Sequence, residues 1–231
     1  MSKEKLFCFP YAGGSSTLYE GQFQELKEAY DVISLDYSGH GTKFGLPLNE
    51  TMDSLLQEAY QEVIEKLSKE ESYCLFGYSL GSVVAYEIAW LLINNGFRAP
   101  RMLFLCSKDA PHKIPEEEWK HRLSEDDFLK TITDMGGIDE ELLSDPLMTR
   151  FFLPIIRSDF KIFELYEEQN HGILDTNALV MYSNEDISDE DIHNWDDVIT
   201  NVEYRCYPGG HFFIYDKHNE VINEILKRRK G

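Results

Sequence analysis

Tyr73-Cys74-Leu75-Phe76-Gly77-Tyr78-Ser79-Leu80-Gly81-Ser82-Val83-Val84-Ala85-Tyr86-Glu87-Ile88 carries more architectural information than any other stretch of the chain. Its first four residues are an apolar run that ends at a glycine, the mark of a strand buried on both faces. From Ser82 to Ile93 the only charge is Glu87. A helix that is apolar nearly all round is a buried helix. Between strand and helix lies Gly77-Tyr78-Ser79-Leu80-Gly81, which fits G-x-S-x-G. That pattern arises by chance; the strand before it and the helix after it give it meaning. A serine on a tight strand-to-helix turn is exposed at the sheet edge, and the glycines let neighbouring backbone pass closely. The new helix aims its first N–H groups at developing negative charge. Ser79 is therefore the candidate nucleophile, and the Leu80 N–H a candidate oxyanion donor. The bland alternative is a glycine-bordered turn with a solvated serine.

Outward from this elbow, strand-like runs recur at 6–9, 32–35, 102–106, 178–182 and 202–206. Helical segments alternate with them. In 51–67, Leu55, Leu56, Ala59, Tyr60, Val63, Ile64 and Leu67 form one stripe, and Val221, Ile222, Ile225 and Leu226 form another in the last helix. Strands alternating with helices imply an α/β fold with right-handed crossovers. Together with the elbow, the expectation is the α/β-hydrolase fold: a mostly parallel sheet flanked by helices, with a helical lid insertion. The core is expected over 1–108 and 177–231 and the insertion over 109–176, where helix formers and acidic residues break the alternation. Within it, 116–122, 125–135 and 147–166 read as helical, with Gly136-Gly137 and Pro154 as punctuation. A plain helical elaboration without a role in substrate choice is the alternative to a lid.

An activated serine needs a base and an acid, in the chain order Ser, acid, His for this fold. Seven histidines are available. His211, in Pro208-Gly209-Gly210-His211-Phe212-Phe213, follows the last strand, where a loop reaches the carboxyl edge of the sheet. His40 is its chief rival, but it precedes the serine. The acid should close the strand at 178–182. Asp186 is the first choice there, with Glu185 and then Asp189 as rivals in a segment full of carboxylates whose default is solvation. The second oxyanion donor is assigned to the Ala12 N–H, in the loop Pro10-Tyr11-Ala12-Gly13-Gly14-Ser15 after the first strand.

The net charge of −20 over 231 residues argues against nucleic acid and anionic membranes as partners. The longest apolar stretch falls short of the roughly 18–20 residues that span a bilayer. The start of the chain has no signal-peptide pattern, so a cytoplasmic enzyme is expected. Cys8, Cys74, Cys106 and Cys206 each fall in a strand-like run and read as buried, reduced thiols. Nothing reads as a subunit interface, and a monomer is expected.

These pieces together resemble the stand-alone, type II thioesterases of nonribosomal peptide and polyketide synthesis. The resemblance spans most of the chain. Residues 6–15, with Pro10-Tyr11-Ala12-Gly13-Gly14-Ser15, look like that family's opening strand and oxyanion loop. The elbow, Leu153-Pro154-Ile155-Ile156-Arg157-Ser158-Asp159-Phe160, Trp195 after the acid loop, and the segment around His211 also match. Two stretches depart from the pattern. Asp36-Tyr37-Ser38-Gly39-His40-Gly41 stands where the family commonly has a Pro-Gly-Arg-Gly type turn, and the acid loop Ser183-Asn184-Glu185-Asp186 lacks the usual Gly and Asp-Asp pair. The resemblance implies hydrolysis of acyl thioesters on the phosphopantetheine arm of carrier proteins, through an acyl-serine, with no metal or tightly bound cofactor. A serine esterase or lipase acting on free esters would use the same three side chains, and a non-catalytic binding protein could keep the fold. Lys113, Lys120, Arg122, Lys130, Arg150 and Arg157 are candidate carrier contacts, with solvation as their ordinary state.

Overall fold

Both faces of the central strands are covered by helices, which is why the strand-like runs of the sequence are apolar throughout. The computed structural model describes residues 3–112, 114–136, 146–167 and 169–229. In chain order its main elements begin with β1 (Glu4–Phe9), α1 (Thr17–Gln22), α2 (Leu26–Ala29), β2 (Tyr30–Ser34), α3 (Met52–Ile64), β3 (Tyr73–Tyr78), α4 (Leu80–Asn94) and β4 (Met102–Cys106). They continue with α5 (Glu125–Met135), α6 (Pro146–Glu164), β5 (Leu174–Tyr182), α7 (Asp189–Ile192), β6 (Ile199–Cys206) and α8 (Ile214–Lys227). The six strands form one parallel sheet in the order β2-β1-β3-β4-β5-β6. This is the α/β-hydrolase type of architecture that the elbow implied.

Alternation along β3 shows how the sheet divides its core. Tyr73 and Leu75 point into the layer that holds α3 and α4, whereas Cys74, Phe76 and Tyr78 point into the layer that holds α8 and α1. Helix α4, expected to be buried, is buried at eleven named positions including Glu87. Helix α3 keeps the expected stripe from Leu55 to Ile64 but ends there, so Leu67 lies beyond it, and Thr51 caps its start, its side chain accepting from the Ser54 N–H in a capping box. The strand order reverses direction at β1 and β3, so the loops after these strands diverge and leave a crevice at their carboxyl ends.

The segment between β4 and β5 differs from expectation in two places, at 116–122 and at the start of β5. Residues 116–122 form two 3-10 turns rather than one helix, because the buried Glu164 carboxylate accepts the Lys120 and His121 N–H groups at 2.7 and 3.0 Å and holds the backbone out of α-helical register. Pro154 lies inside α6 without ending it. Leu153 and Ile156 pack with Phe128 and Ile132 of α5, and this shared apolar stripe holds the helix together across the missing N–H. Strand β5 begins at Leu174, so residues 174–176, expected in the insertion, belong to the sheet; Thr176 there donates to the Pro100 carbonyl at 2.5 Å. Lys113 and Gly137 lie outside the described residues.

Cys8, Cys74 and Cys106 are buried, and burial pushes the Cys8 and Cys106 thiols up. Cys206 corrects the expectation for all four: it is exposed, because β6 is an edge strand. Among the described residues no helix is long and apolar enough to cross a membrane.

Candidate active site

Ser79 sits at φ 53° and ψ −118°, between β3 and α4. A non-glycine residue at positive φ is held there against a cost of about 1–3 kcal/mol, so the surroundings must over-determine it. They do. The Ser79 N–H donates to the Cys106 carbonyl at 2.8 Å, and the Ser82 N–H donates back to the Ser79 carbonyl at 2.8 Å. The buried Ser82 Oγ lies 3.0 Å from the Gly77 carbonyl and 2.9 Å from that of Cys106, and it accepts the Cys106 N–H at 3.0 Å. The two glycines are equally constrained. A Cβ on Gly77 would stand 2.1 Å from the Gly81 carbonyl oxygen, and one on Gly81 would stand 2.1 Å from that of Phe9. The G-x-S-x-G spacing is thus a packing requirement of strand, turn and helix.

The His211 Nε2 lies 3.0 Å from Ser79 Oγ, and its Nδ1 lies 2.8 Å from Asp186 Oδ2. A carboxylate can only accept, so Nδ1 carries the proton and Nε2 offers its lone pair to the serine hydroxyl. His211 is itself held from behind. Its carbonyl accepts from Tyr78 OH at 2.6 Å and from Ser107 Oγ at 2.7 Å. Ser107 also has positive φ, 49°, at the end of β4. Burial pushes the Tyr78 phenol well above its ordinary value, which keeps it a donor.

The rivals are engaged elsewhere. Glu185 Oε1 accepts the Gly209 N–H at 3.0 Å, and Asp189 Oδ1 accepts from Tyr182 OH at 2.7 Å. His40 Nε2 bonds Asp159 Oδ2 at 2.8 Å, both side chains only 3% exposed. Burial opposes a charge on His40, but the hydrogen bond and the charge of Asp159 outweigh it and raise its pKa. His121 meets Glu164 at 2.5 Å, His171 meets Glu87 at 2.8 Å, and His112 meets Asp109 at 3.0 Å. His193 Nδ1 bonds the Asp189 carbonyl at 2.6 Å, and His218 Nδ1 bonds that of Tyr215 at 3.2 Å.

Ala12, Ser79, Leu80 and His211 share one cavity of about 180 Å³, walled on the other side by Met135, Phe160 and Phe163 of α5 and α6 and by Ile187. Neither the Ala12 nor the Leu80 N–H has a hydrogen-bond acceptor among the described residues. The loop that carries Ala12 is shaped on both sides of it. The Gly14 N–H donates to the Tyr11 carbonyl at 2.8 Å, and the Gly13 N–H donates to Asp159 Oδ2 at 2.7 Å. Farther along, Asp36 accepts the Ser16 N–H at 2.7 Å and hydroxyl at 3.0 Å, with the Thr42 N–H at 2.9 Å and hydroxyl at 2.8 Å. Burial opposes the Asp36 charge, but these donors outweigh it and hold the carboxyl below its ordinary range.

Four residues of this assembly had no role in the sequence reading: Tyr78, Ser107, Asp36 and Asp159. Asp36 and Ser107 stand just beyond strands, a position from which a polar side chain can reach the loops at the sheet edge; in the sequence Asp36 is marked only as the start of the turn 36–41, and Ser107 lies in no quoted motif. The cationic residues of the insertion fare unevenly. Arg157 donates to the carbonyls of His121 at 2.8 Å and Leu123 at 2.7 Å while lying 4.2 Å over the Phe128 ring, so its guanidinium is engaged within the protein. Arg122 is paired with Glu116 at 3.0 Å and stacks on Trp119. The buried Trp195 donates to the Lys108 carbonyl at 2.8 Å, and Lys108, paired with Asp109, lies over the Phe163 ring at the cavity wall.

The chain is similar to known proteins over most of its length. Residues 4–228 match the model of the thioesterase domain. The chain is 29% identical over 227 residues to thioesterase PikA5 of Streptomyces venezuelae, covering 97% of this chain and 80% of that protein. It is 30% identical over 236 residues to the medium-chain S-acyl fatty acid synthase thioesterase of Homo sapiens, covering 96% and 86%. The crystal structure of ClbQ from the colibactin NRPS/PKS pathway superposes with a TM-score of 0.90 at 26% identity, over 98% of this chain and 96% of that one. A serine, histidine and carboxylate in hydrogen-bond sequence, inside a chain that matches from end to end, lead to one conclusion: this protein belongs to the thioesterase domain family.

Proposed function

We propose that this protein is a serine thioesterase that releases acyl groups from the phosphopantetheine arm of carrier proteins in nonribosomal peptide or polyketide synthesis, freeing carriers that are stalled or mis-primed. The observation that carries the reading is the line Asp186–His211–Ser79, in a cavity also lined by Ala12 and Leu80, whose N–H groups have no acceptor among the described residues. His211 Nε2 takes the Ser79 proton as Oγ attacks the thioester carbonyl. The Ala12 and Leu80 N–H groups hold the oxyanion; removing one such donor typically costs about 10²–10³ in rate. The C–S bond then breaks, the pantetheine sulfur takes the proton from His211, and the acyl group remains on Ser79. Water gives its proton to His211, attacks the acyl-serine and releases the acid. Asp186 orients the imidazole and stabilises the imidazolium. No metal or tightly bound cofactor enters this scheme.

The segment between β4 and β5 acts in this reading as the lid over the acyl group, because Met135 of α5 and Phe160 and Phe163 of α6 line the cavity that holds Ser79. The net charge of −20 gives an acidic carrier no long-range attraction, so docking rests on local apolar contact. Phe44, Leu46 and Phe151 are exposed large apolar side chains available for it. The test compares hydrolysis of an acetyl-phosphopantetheinyl carrier protein with that of p-nitrophenyl acetate. A kcat/KM higher for the carrier by at least about tenfold, some 1.4 kcal/mol of extra transition-state binding, supports the reading. Turnover of the free ester with an inert carrier thioester refutes it in favour of an esterase.

A further inference from the structure

Among the described residues of the insertion, Asp159 is the one whose side chain hydrogen-bonds the loop carrying the Ala12 N–H. It stands in α6, 3% exposed, and a single oxygen, Oδ2, accepts both the Gly13 N–H at 2.7 Å and His40 Nε2 at 2.8 Å. Gly13 directly follows Ala12. The same helix touches the loop a second time through Ile156, one turn earlier: a Cβ on Gly13 would stand 2.5 Å from Ile156 Cγ1. His40 is braced in turn, with Nδ1 3.1 Å from the Ser38 carbonyl and its ring edge-on to the Tyr37 ring at 5.8 Å. The next residue of α6, Phe160, lines the cavity beside Ser79.

We infer that Asp159, braced by His40, is a positioning residue for the oxyanion site: it turns the Ala12 N–H toward the Ser79 carbonyl-binding position, so that the insertion is part of the catalytic machinery as well as its cover. This rests on the serine-hydrolase reading above. The physical argument is geometric. A peptide N–H cannot be aimed without fixing its neighbours, and Ala12 is followed by a glycine at φ 76°, which has no side chain to restrain it. The Asp159 bond to the Gly13 N–H and the Gly14 N–H bond to the Tyr11 carbonyl restrain the peptides directly after Ala12, while Tyr37 OH holds the Pro10 carbonyl before it at 3.1 Å. Donor placement matters on the scale of an ångström, where a misplacement costs about 10² in rate. Bonded to Asp159, His40 has a structural partner of its own and no part in the proton relay to Ser79.

Removing Asp159 would leave His40 buried without its partner, and that can unfold the protein. The test therefore uses Asp159→Asn, whose carbonyl can still accept the Gly13 N–H, Asp159→Leu, which cannot, and His40→Gln, which keeps a donor for Asp159. Each is measured on p-nitrophenyl acetate and on the acyl-carrier thioester, with inhibition by an alkylboronic acid and with thermal denaturation of the same samples. The expected result is that Asp159→Leu lowers kcat by about 10²-fold with KM nearly unchanged, and weakens the boronate, a tetrahedral mimic, by a similar factor. Asp159→Asn and His40→Gln should each stay within about tenfold of wild type. Folded Asp159→Leu with wild-type kcat and boronate affinity overturns the inference, as does loss of activity in all three variants in proportion to the folded fraction. If Asp159→Leu does not fold, an unchanged boronate affinity on replacing His40 by Ala in folded protein overturns it, and a parallel fall in kcat and boronate affinity supports it. Ester turnover without thioester turnover in the wild type would sink the carrier-protein reading alone. Failure of the wild type on both substrates would sink the inference together with the reading it rests on.

Discussion

Asp186→Asn isolates the carboxylate from the shape of the site. The substitution keeps the side-chain volume and removes the charge that faces His211 Nδ1 at 2.8 Å. When His211 takes the Ser79 proton, imidazolium and carboxylate form an ion pair whose charge centres are about 4 Å apart. At an effective dielectric constant of about 20, that attraction is worth about 4 kcal/mol, or about a thousandfold in rate. The Asp186 side chain is 18% exposed, which screens the pair somewhat. Asparagine can also present its NH₂ group to Nδ1, which favours the tautomer with the proton on Nε2 and blocks the base; the analogous change in serine proteases costs about 10⁴. The expected fall in kcat/KM for Asp186→Asn is therefore about 10³–10⁴-fold, with the melting temperature little changed. Glu185→Gln and Asp189→Asn, whose wild-type carboxylates bond Gly209 and Tyr182 instead, should stay within about tenfold. The assay is steady-state hydrolysis of an acyl-carrier thioester by all three variants at one pH. Asp186→Asn with wild-type kcat/KM, or Glu185→Gln with the larger loss, would refute the reasoning.

Ser82→Ala removes the hydroxyl that ties Gly77, Cys106 and the elbow together and leaves the buried Cys106 N–H without its acceptor. Its unfolding free energy should fall by about 1–3 kcal/mol, measured by urea denaturation, and an unchanged midpoint would contradict the account of the elbow. Asp36 is held below its ordinary range in the folded state, so its share of the stability is present above the unfolded pKa of about 3.9 and is lost as pH falls through the lower folded value. The stability difference between wild type and Asp36→Asn should accordingly shrink on acidification below about pH 4, and a difference that grows there would reverse the sign of the argument. A monomer is expected on a sizing column with light scattering; a dimer at micromolar concentration would contradict it.

Much of this architecture is legible in the sequence for identifiable reasons. A sheet covered on both faces demands uninterrupted apolar runs, and β4 is found at the residues where its run begins and ends, Met102–Cys106. The elbow announces itself because its glycines are required by contacts as close as 2.1 Å for any added Cβ. His211 follows from chain order and strand position. What escaped notice depends on contacts between residues distant in the chain. Asp159 meets the oxyanion loop across 146 positions, and Ser107 meets the His211 carbonyl across 104. Ser107 lies in no quoted motif, and the stretch 153–160 that contains Asp159 does not reveal which loop its carboxylate meets. Helices α1, α2 and α7 span six residues or fewer, too short for a 3.6-residue period to emerge from their sequence. The helix expected over 147–166 is found across Pro154 as Pro146–Glu164, because the apolar stripe that α6 shares with α5 is the stronger signal there. Cys206 misled because alternation does not reveal which strand lies at the edge of a sheet.

The central claim is that Ser79 becomes acylated during turnover. The most direct measurement is mass spectrometry of the protein quenched in acid during hydrolysis of an acyl-carrier thioester, followed by proteolysis and sequencing of the modified peptide. The account predicts one acyl group on Ser79, absent from Ser79→Ala, which should also have lost hydrolysis. An acyl adduct on another residue, or hydrolysis by Ser79→Ala at the wild-type rate, would contradict it.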